Sequence, residues 1–60
     1  MDEVIYIQNL LNAHRYSVIV DGEYGEKTAE AVAAFQKECG IYVTGLIDCE
    51  TLDALEIKPQ

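Results

Sequence analysis

Three acidic side chains, Asp21, Glu23 and Glu26, crowd one short stretch of the chain, and oxygen-ligand chemistry is the first question they raise. A calcium loop of the helix–loop–helix type alternates its acidic ligands, with glycine at the sixth place and a bidentate glutamate at the twelfth. Counted from Asp21, the glycine falls fifth, at Gly25, and the twelfth place is Val32. The stretch does not meet that requirement, and no metal is expected. Cys39, Cys49 and His14 follow no ligand spacing and are too few for a closed zinc site. Nucleophilic catalysis has little to build on, since Ser17 is the single serine, His14 the single histidine, and no triad motif joins them. Sugar hydrolysis requires a selected pair of carboxylates, and nothing in the spacing selects one. No catalytic residue and no cofactor are expected.

Polar recognition is better served. Thr28 and Thr51 each fall in the first turn of an expected helix, three residues after Gly25 and Asp48. Two readings are open. Their hydroxyls tie the loop to the helix start, or they stand beside free backbone amides and hold a polar ligand. Tyr24 is open in the same way, closing the edge of the core or offering a flat face to a sugar ring or peptide. His14 reads as a partly exposed residue at a helix end, where positive charge is favourable.

The elements that must position these residues centre on Asp21 to Gln36, DGEYGEKTAEAVAAFQ. Asp21-Gly22 is a strong turn signal, because glycine tolerates positive φ and aspartate bonds back to nearby amides. Gly25 ends the loop. A helix is then expected from Glu26 to Cys39, with Ala29, Val32, Ala33, Phe35 and Cys39 on one apolar face and Gly40 as its left-handed cap. If Gly25 itself takes positive φ, a β-branched residue there costs about 1 kcal/mol or more.

Upstream, Val4, Ile7, Leu10 and Leu11 share a helical face, while Glu3, Gln8, Asn9 and Asn12 point elsewhere. This first helix should begin near Asp2 and end around His14 and Arg15. Tyr16 to Val20 is extended, because three β-branched residues in succession, Val18-Ile19-Val20, disfavour helix, and its apolar side chains should plug one end of the core. Downstream, Ile41 to Val43 is again extended, and Thr44-Gly45 turns the chain as Asp21-Gly22 does. Asp48 suits a helix N-cap, and a third helix over Cys49 to Leu55 should face Leu52 and Leu55 inward. Pro59 marks the end of order, which leaves 2–57 as a single domain and 58–60 as a disordered tail.

Sixty residues hold one small domain with one core. Four basic against eleven acidic residues give a net charge of −7. Such a balance opposes binding to phosphate backbones, which draws its affinity from lysine and arginine, so nucleic acid and anionic membrane surfaces are excluded as partners. No apolar run approaches the length of a membrane span, and the acidic opening Met1-Asp2-Glu3 carries no signal-peptide pattern. Two cysteines make no framework. Cys39 on an apolar face behaves as a small hydrophobe, and the pair is expected buried or free, with a disulfide as the alternative.

The chain also echoes itself. A shift of 23 residues lays Asp21-Gly22 on Thr44-Gly45, Thr28 on Thr51, Ala31 on Ala54 and Val32 on Leu55. A second echo links Ile7-Gln8 with Phe35-Gln36, each followed by an extended segment and a turn. The expected architecture is therefore all-α, a compact three-helix module with two similar extended turn loops related by an internal two-fold repeat and sharing the middle helix.

Ile7-Gln8, Asp21-Gly22-x-Tyr24-Gly25-x-x-Thr28, Ala31-Val32-x-x-Phe35-Gln36, then Gly45, Thr51 and Ala54-Leu55 together resemble the peptidoglycan-binding-domain-like family over residues 3 to 56. The resemblance implies a monomeric, non-catalytic three-helix module that binds the glycan-peptide polymer of the bacterial cell wall. It implies attachment to, or service of, a wall hydrolase or endolysin, and a place in the wall or outside the cell as part of a larger or separately released protein. It also implies a ligand surface at the turn-helix loops: Asp21, Gly22, Tyr24, Gly25 and Thr28 in the first, and Gly45 and Thr51 in the second, with aromatic stacking from Tyr24 or Tyr42. The second loop departs from the family pattern, with Thr44-Gly45 for Asp-Gly, Asp48 for a second glycine, and Leu52 where tryptophan is common. The alternative is a structural or protein-interaction module of the same fold, in a phage or other assembly, without wall binding.

Overall fold

The computed structural model describes residues 3–57. The expected helix start at Asp2 and the tail at 58–60 lie outside them. Three helices follow in order, α1 (Glu3–Ala13), α2 (Glu26–Cys39) and α3 (Cys49–Glu56), and the described residues contain no strand. α1 packs against both α2 and α3. The domain is all-α, as the helical periodicities predict.

The core is one cluster, Ile7, Leu11, Val32, Phe35 and Leu55, all buried. Leu10, Tyr16, Val18, Tyr24, Ala31, Ile47 and Ala54 are partly buried against it. Phe35 sits between two rings at edge-to-face angles, with His14 at 5.1 Å and Tyr16 at 6.1 Å between centroids. His14 Nε2 lies 2.9 Å from the Leu55 carbonyl, which can only accept, so the ring donates there. That bond satisfies one of the four carbonyls left without an intrahelical partner at the end of α3. His14 is thus half-buried and structural, a stronger tie than a helix-end position predicts.

Two helix ends close alike with different residues. Gly40 (φ 73°) ends α2 in the left-handed region, its N–H reaching Lys37 O while Ile41 N reaches Gln36 O at 3.1 Å. Arg15 (φ 72°) does the same after α1, with Arg15 N to Asn12 O at 2.9 Å and Tyr16 N to Leu11 O at 2.9 Å. The paired bonds are a Schellman closure. α3 starts as its sequence predicts: Asp48 accepts from Thr51 N at 2.8 Å.

Four expectations are corrected. Gln8 does not point away from the core; it is completely buried. Cys39 is exposed, because the last turn of α2, from Lys37 onward, runs clear of the packed helices, and both cysteines are free and exposed. Only Tyr16 and Val18 of the first extended segment pack inward; Ile19 is exposed because an extended chain turns alternate side chains to opposite sides, and Val20, next to the turn, is exposed as well. Gly25 has φ −96° and ψ −171°, ordinary extended backbone, and a Cβ built there meets nothing within 4 Å. Its backbone is unstrained. It serves as the N-cap of α2 but supplies no side-chain cap. Gly25→Ser should therefore stabilise the domain by about 0.5–1 kcal/mol, through a new cap and a less flexible unfolded chain. A thermal melt that moves downward would refute this.

Candidate functional site

The two turn loops are held from inside the protein by glutamines. Gln8, on α1, accepts at Oε1 from Asp21 N (3.1 Å) and Gly22 N (3.0 Å). Its Nε2 donates to Asp21 Oδ1 (3.0 Å), Glu23 O (3.0 Å) and Thr28 Oγ1 (3.2 Å). Gln36, on α2, does the same for the second loop. Its Oε1 accepts from Thr44 N (2.9 Å) and Gly45 N (3.0 Å), and its Nε2 donates to Thr44 Oγ1 (3.2 Å), Leu46 O (2.9 Å) and Thr51 Oγ1 (2.9 Å). An amide side chain carries an acceptor and two donors on one rigid plane, so one glutamine can grip both edges of a turn and the helix that follows it. Both glutamines are fully buried, and no buried side-chain polar atom among the described residues lacks a partner.

The difference between the loops is chemically small. Asp21 Oδ1 accepts from Glu23 N at 2.9 Å, an Asx turn, and Thr44 Oγ1 accepts from Leu46 N at 3.1 Å, its hydroxyl counterpart. Threonine at position 44 thus keeps the turn that aspartate makes at position 21, without the charge. Tyr24 joins the loops by donating its hydroxyl to Gly45 O at 2.6 Å, and burial raises the pKa of that phenol above its ordinary value.

On the outside of the first loop lies a cleft of about 290 Å³, lined by Ser17, Val18, Ile19, Asp21, Glu23 and the start of α2 from Gly25 to Thr28. Of the residues expected at the ligand surface, Asp21, Gly25 and Thr28 line it, while Gly22 and Tyr24 do not. Thr28 and Thr51 are buried with their hydroxyls bonded to the glutamines, which ties each loop to the helix that follows it. Tyr24 likewise packs at the core edge. Tyr42 is 87% exposed on the other loop, with Gly45 half-buried nearby in sequence. Gln8 and Gln36 were missed as loop anchors. The echo of Ile7-Gln8 in Phe35-Gln36 was the signal: the same polar residue beside a core residue, each time ahead of a turn.

Both loop aspartates sit below their ordinary pKa of 3.8, Asp21 chiefly through the Glu23 N–H and then the Gln8 amide, and Asp48 through Thr51. A carboxyl whose folded pKa is lowered adds stability above its unfolded pKa and loses it as pH falls through the folded value. Asparagine at position 21 keeps an acceptor oxygen and removes the charge. The melting-temperature gap between the protein and Asp21→Asn should therefore be present at pH 6 and close below pH 3.8. A gap that stays constant down to pH 2 would contradict it.

Residues 1–55 match a family model described as "Putative peptidoglycan binding domain". No curated protein and no solved structure matches the chain at a significant level. The match spans both glutamine-held loops and all three helices up to Leu55, and the chain belongs to the peptidoglycan-binding domain family.

Proposed function

We propose that this domain binds bacterial cell-wall peptidoglycan without catalysing its turnover, and holds an attached or partner wall hydrolase or endolysin on its substrate. The family match over residues 1–55 carries the proposal. Tethering would raise the effective concentration of the enzyme at the wall without any new contact.

The ligand surface we assign is the first-loop cleft at Asp21 and Gly25, with Tyr42 offering a stacking face. Gly22, Tyr24, Thr28, Gly45 and Thr51 contribute by holding the loops in shape. The test is co-sedimentation with insoluble sacculi at physiological salt, with cellulose as control. Retention on sacculi alone is expected. Tyr42→Ala should weaken it about 5–100-fold, on the scale of one lost stacking contact, with no change in melting temperature, since the ring is 87% exposed. A folded domain that stays in the supernatant would end the wall-binding reading. It would favour the structural or protein-interaction module, for which exposed Ile19, Val43 and Leu46 supply apolar surface.

A further inference from the structure

A second hollow, sharing no residue with the first-loop cleft, lies between α1 and α3. It measures about 250 Å³ and is lined by Glu3, Tyr6, Ile7, Ile47 and Leu52. Ile7 is buried, Ile47 and Leu52 are half-buried, and Tyr6 is 38% exposed. The Tyr6 hydroxyl donates to Glu56 Oε2 at 2.8 Å, a bond from α1 to α3 that fixes the ring beside the hollow. The volume falls below the range of about 300–1,000 Å³ typical of small-molecule pockets, and the apolar lining suits a side chain of another protein. The two helices that frame it carry charge of one sign. Glu3 is the charged residue of α1, and Glu50, Asp53 and Glu56 are those of α3. Among the described residues the cations lie elsewhere, Arg15 after α1 and Lys27 and Lys37 on α2. Within the same residues the Glu3 side chain forms no hydrogen bond or ion pair, and that of Glu56 is bonded to Tyr6 alone.

We propose that this hollow docks a basic amphipathic helix of a partner protein, which seats a large apolar side chain over Ile7, Ile47 and Leu52 and sets lysine or arginine beside Glu3 and Glu56. Charge complementarity selects that occupant. The apolar floor rewards burial of an apolar side chain, while the carboxylates at its margin attract cationic flanks and repel acidic ones. An amphipathic helix carries this combination on one face, with apolar residues at i, i+3 and i+4 and charged residues beside them. The Tyr6 ring is the anchor on this side, since aromatic residues dominate the energetics of small interfaces. A second copy of the chain is disfavoured. Isologous pairing brings the same patch of each copy together, which sets Glu3 and Glu56 against their own counterparts in a protein of net charge −7. The hollow and the first-loop cleft are lined by different residues, so the inference does not depend on wall binding and both surfaces can be occupied at once.

The test is a titration of the isotope-labelled domain, followed by amide NMR, with a synthetic leucine–lysine peptide whose leucines share one helical face. Saturable shifts centred on the amides of Tyr6, Ile47 and Leu52 are expected. The same composition shuffled out of helical register should bind at least about fivefold more weakly, and the same pattern with glutamate for lysine should not bind. Tyr6→Ala should weaken the patterned peptide about fivefold or more. Glu3→Gln/Glu56→Gln should weaken it about 2–25-fold, the scale for two exposed ion pairs. Glu30→Gln/Glu38→Gln, with the same net charge but on α2 and outside the hollow, should leave it unchanged. All three variants alter exposed side chains, and a melt confirms that each is folded. Equal affinity for patterned and shuffled peptides, or equal losses from the two double variants, would reduce the effect to unspecific charge attraction and overturn the inference. Absence of binding, or shifts centred on other residues, would overturn it as well. Concentration-dependent shifts of the same amides without peptide would assign the hollow to a second copy, against the proposal.

Discussion

Gln8→Leu is expected to destabilise the domain by about 2–4 kcal/mol. Leucine keeps most of the buried volume, so the loss reports the amide rather than a cavity. Gly22 N, Glu23 O and the Thr28 hydroxyl lose this partner at once, while Asp21 N keeps only its bond to Ile19 O. Water can reach the exposed Asp21, but Thr28 is 4% exposed and has little recourse to it. A buried polar group left unsatisfied costs about 1–3 kcal/mol, so the sum should be about 2–4 kcal/mol. A domain of this size holds roughly 3–9 kcal/mol in total, and each kcal/mol moves its melting temperature by about 4–8 °C. Circular dichroism should record a drop of about 8–32 °C. Gln36→Leu should behave alike, because its five bonds match those of Gln8. Gln8→Glu should not rescue, since a buried carboxylate would face Asp21 Oδ1 and Glu23 O in place of a donor. A shift under 5 °C for Gln8→Leu would show that the loops stand without the glutamine.

Phe35→Ala should cost about 3–5 kcal/mol, the range for removing a large buried ring from a core that cannot fully collapse. Phe35 is 4% exposed and touches two other rings edge to face. Its loss also strips cover from His14, whose bond to Leu55 O ties the end of α1 to α3. Phe35→Leu isolates the aromatic part. It keeps most of the apolar volume, and the edge contacts account for about 0.5–1.5 kcal/mol each. Denaturant midpoints for the two variants measure both contributions. If Phe35→Leu proved as damaging as Phe35→Ala, ring geometry rather than volume would dominate this core.

The three helices were legible because their evidence is local. Val32 and Phe35 on α2, and Ile7 and Leu11 on α1, recur at spacings that only a helix brings to one side. Gly40 and Asp48 announced their caps by residue type. Arg15 did not, because nothing in its chemistry advertises a positive φ; the loop that follows α1 imposes it. Periodicity misplaced Gln8 for a related reason. A pattern of apolar and polar residues sorts side chains by their cost in a dry interior, and glutamine is costly there unless every polar atom is paired. The partners of Gln8 lie 13 to 20 residues away, so the pairing that makes its burial affordable is invisible along the chain.

By itself, then, the sequence determined the helices, the turns at Asp21-Gly22 and Thr44-Gly45, and membership of a family through a pattern that runs from Ile7-Gln8 through Asp21-Gly22-x-Tyr24-Gly25-x-x-Thr28 and Ala31-Val32-x-x-Phe35-Gln36 to Gly45, Thr51 and Ala54-Leu55. Only the tertiary structure decided what those polar residues do. It turned Thr28 and Thr51 inward, fastened Tyr24 to Gly45, left Tyr42 in the open, and brought Asp21, Glu23, Glu26 and Lys27 around one cleft. The physical reason is the range of the forces concerned. Backbone preference and hydrophobic periodicity act within a few residues, whereas a hydrogen bond or a local field depends on which distant groups the fold sets within about 3 Å of each other.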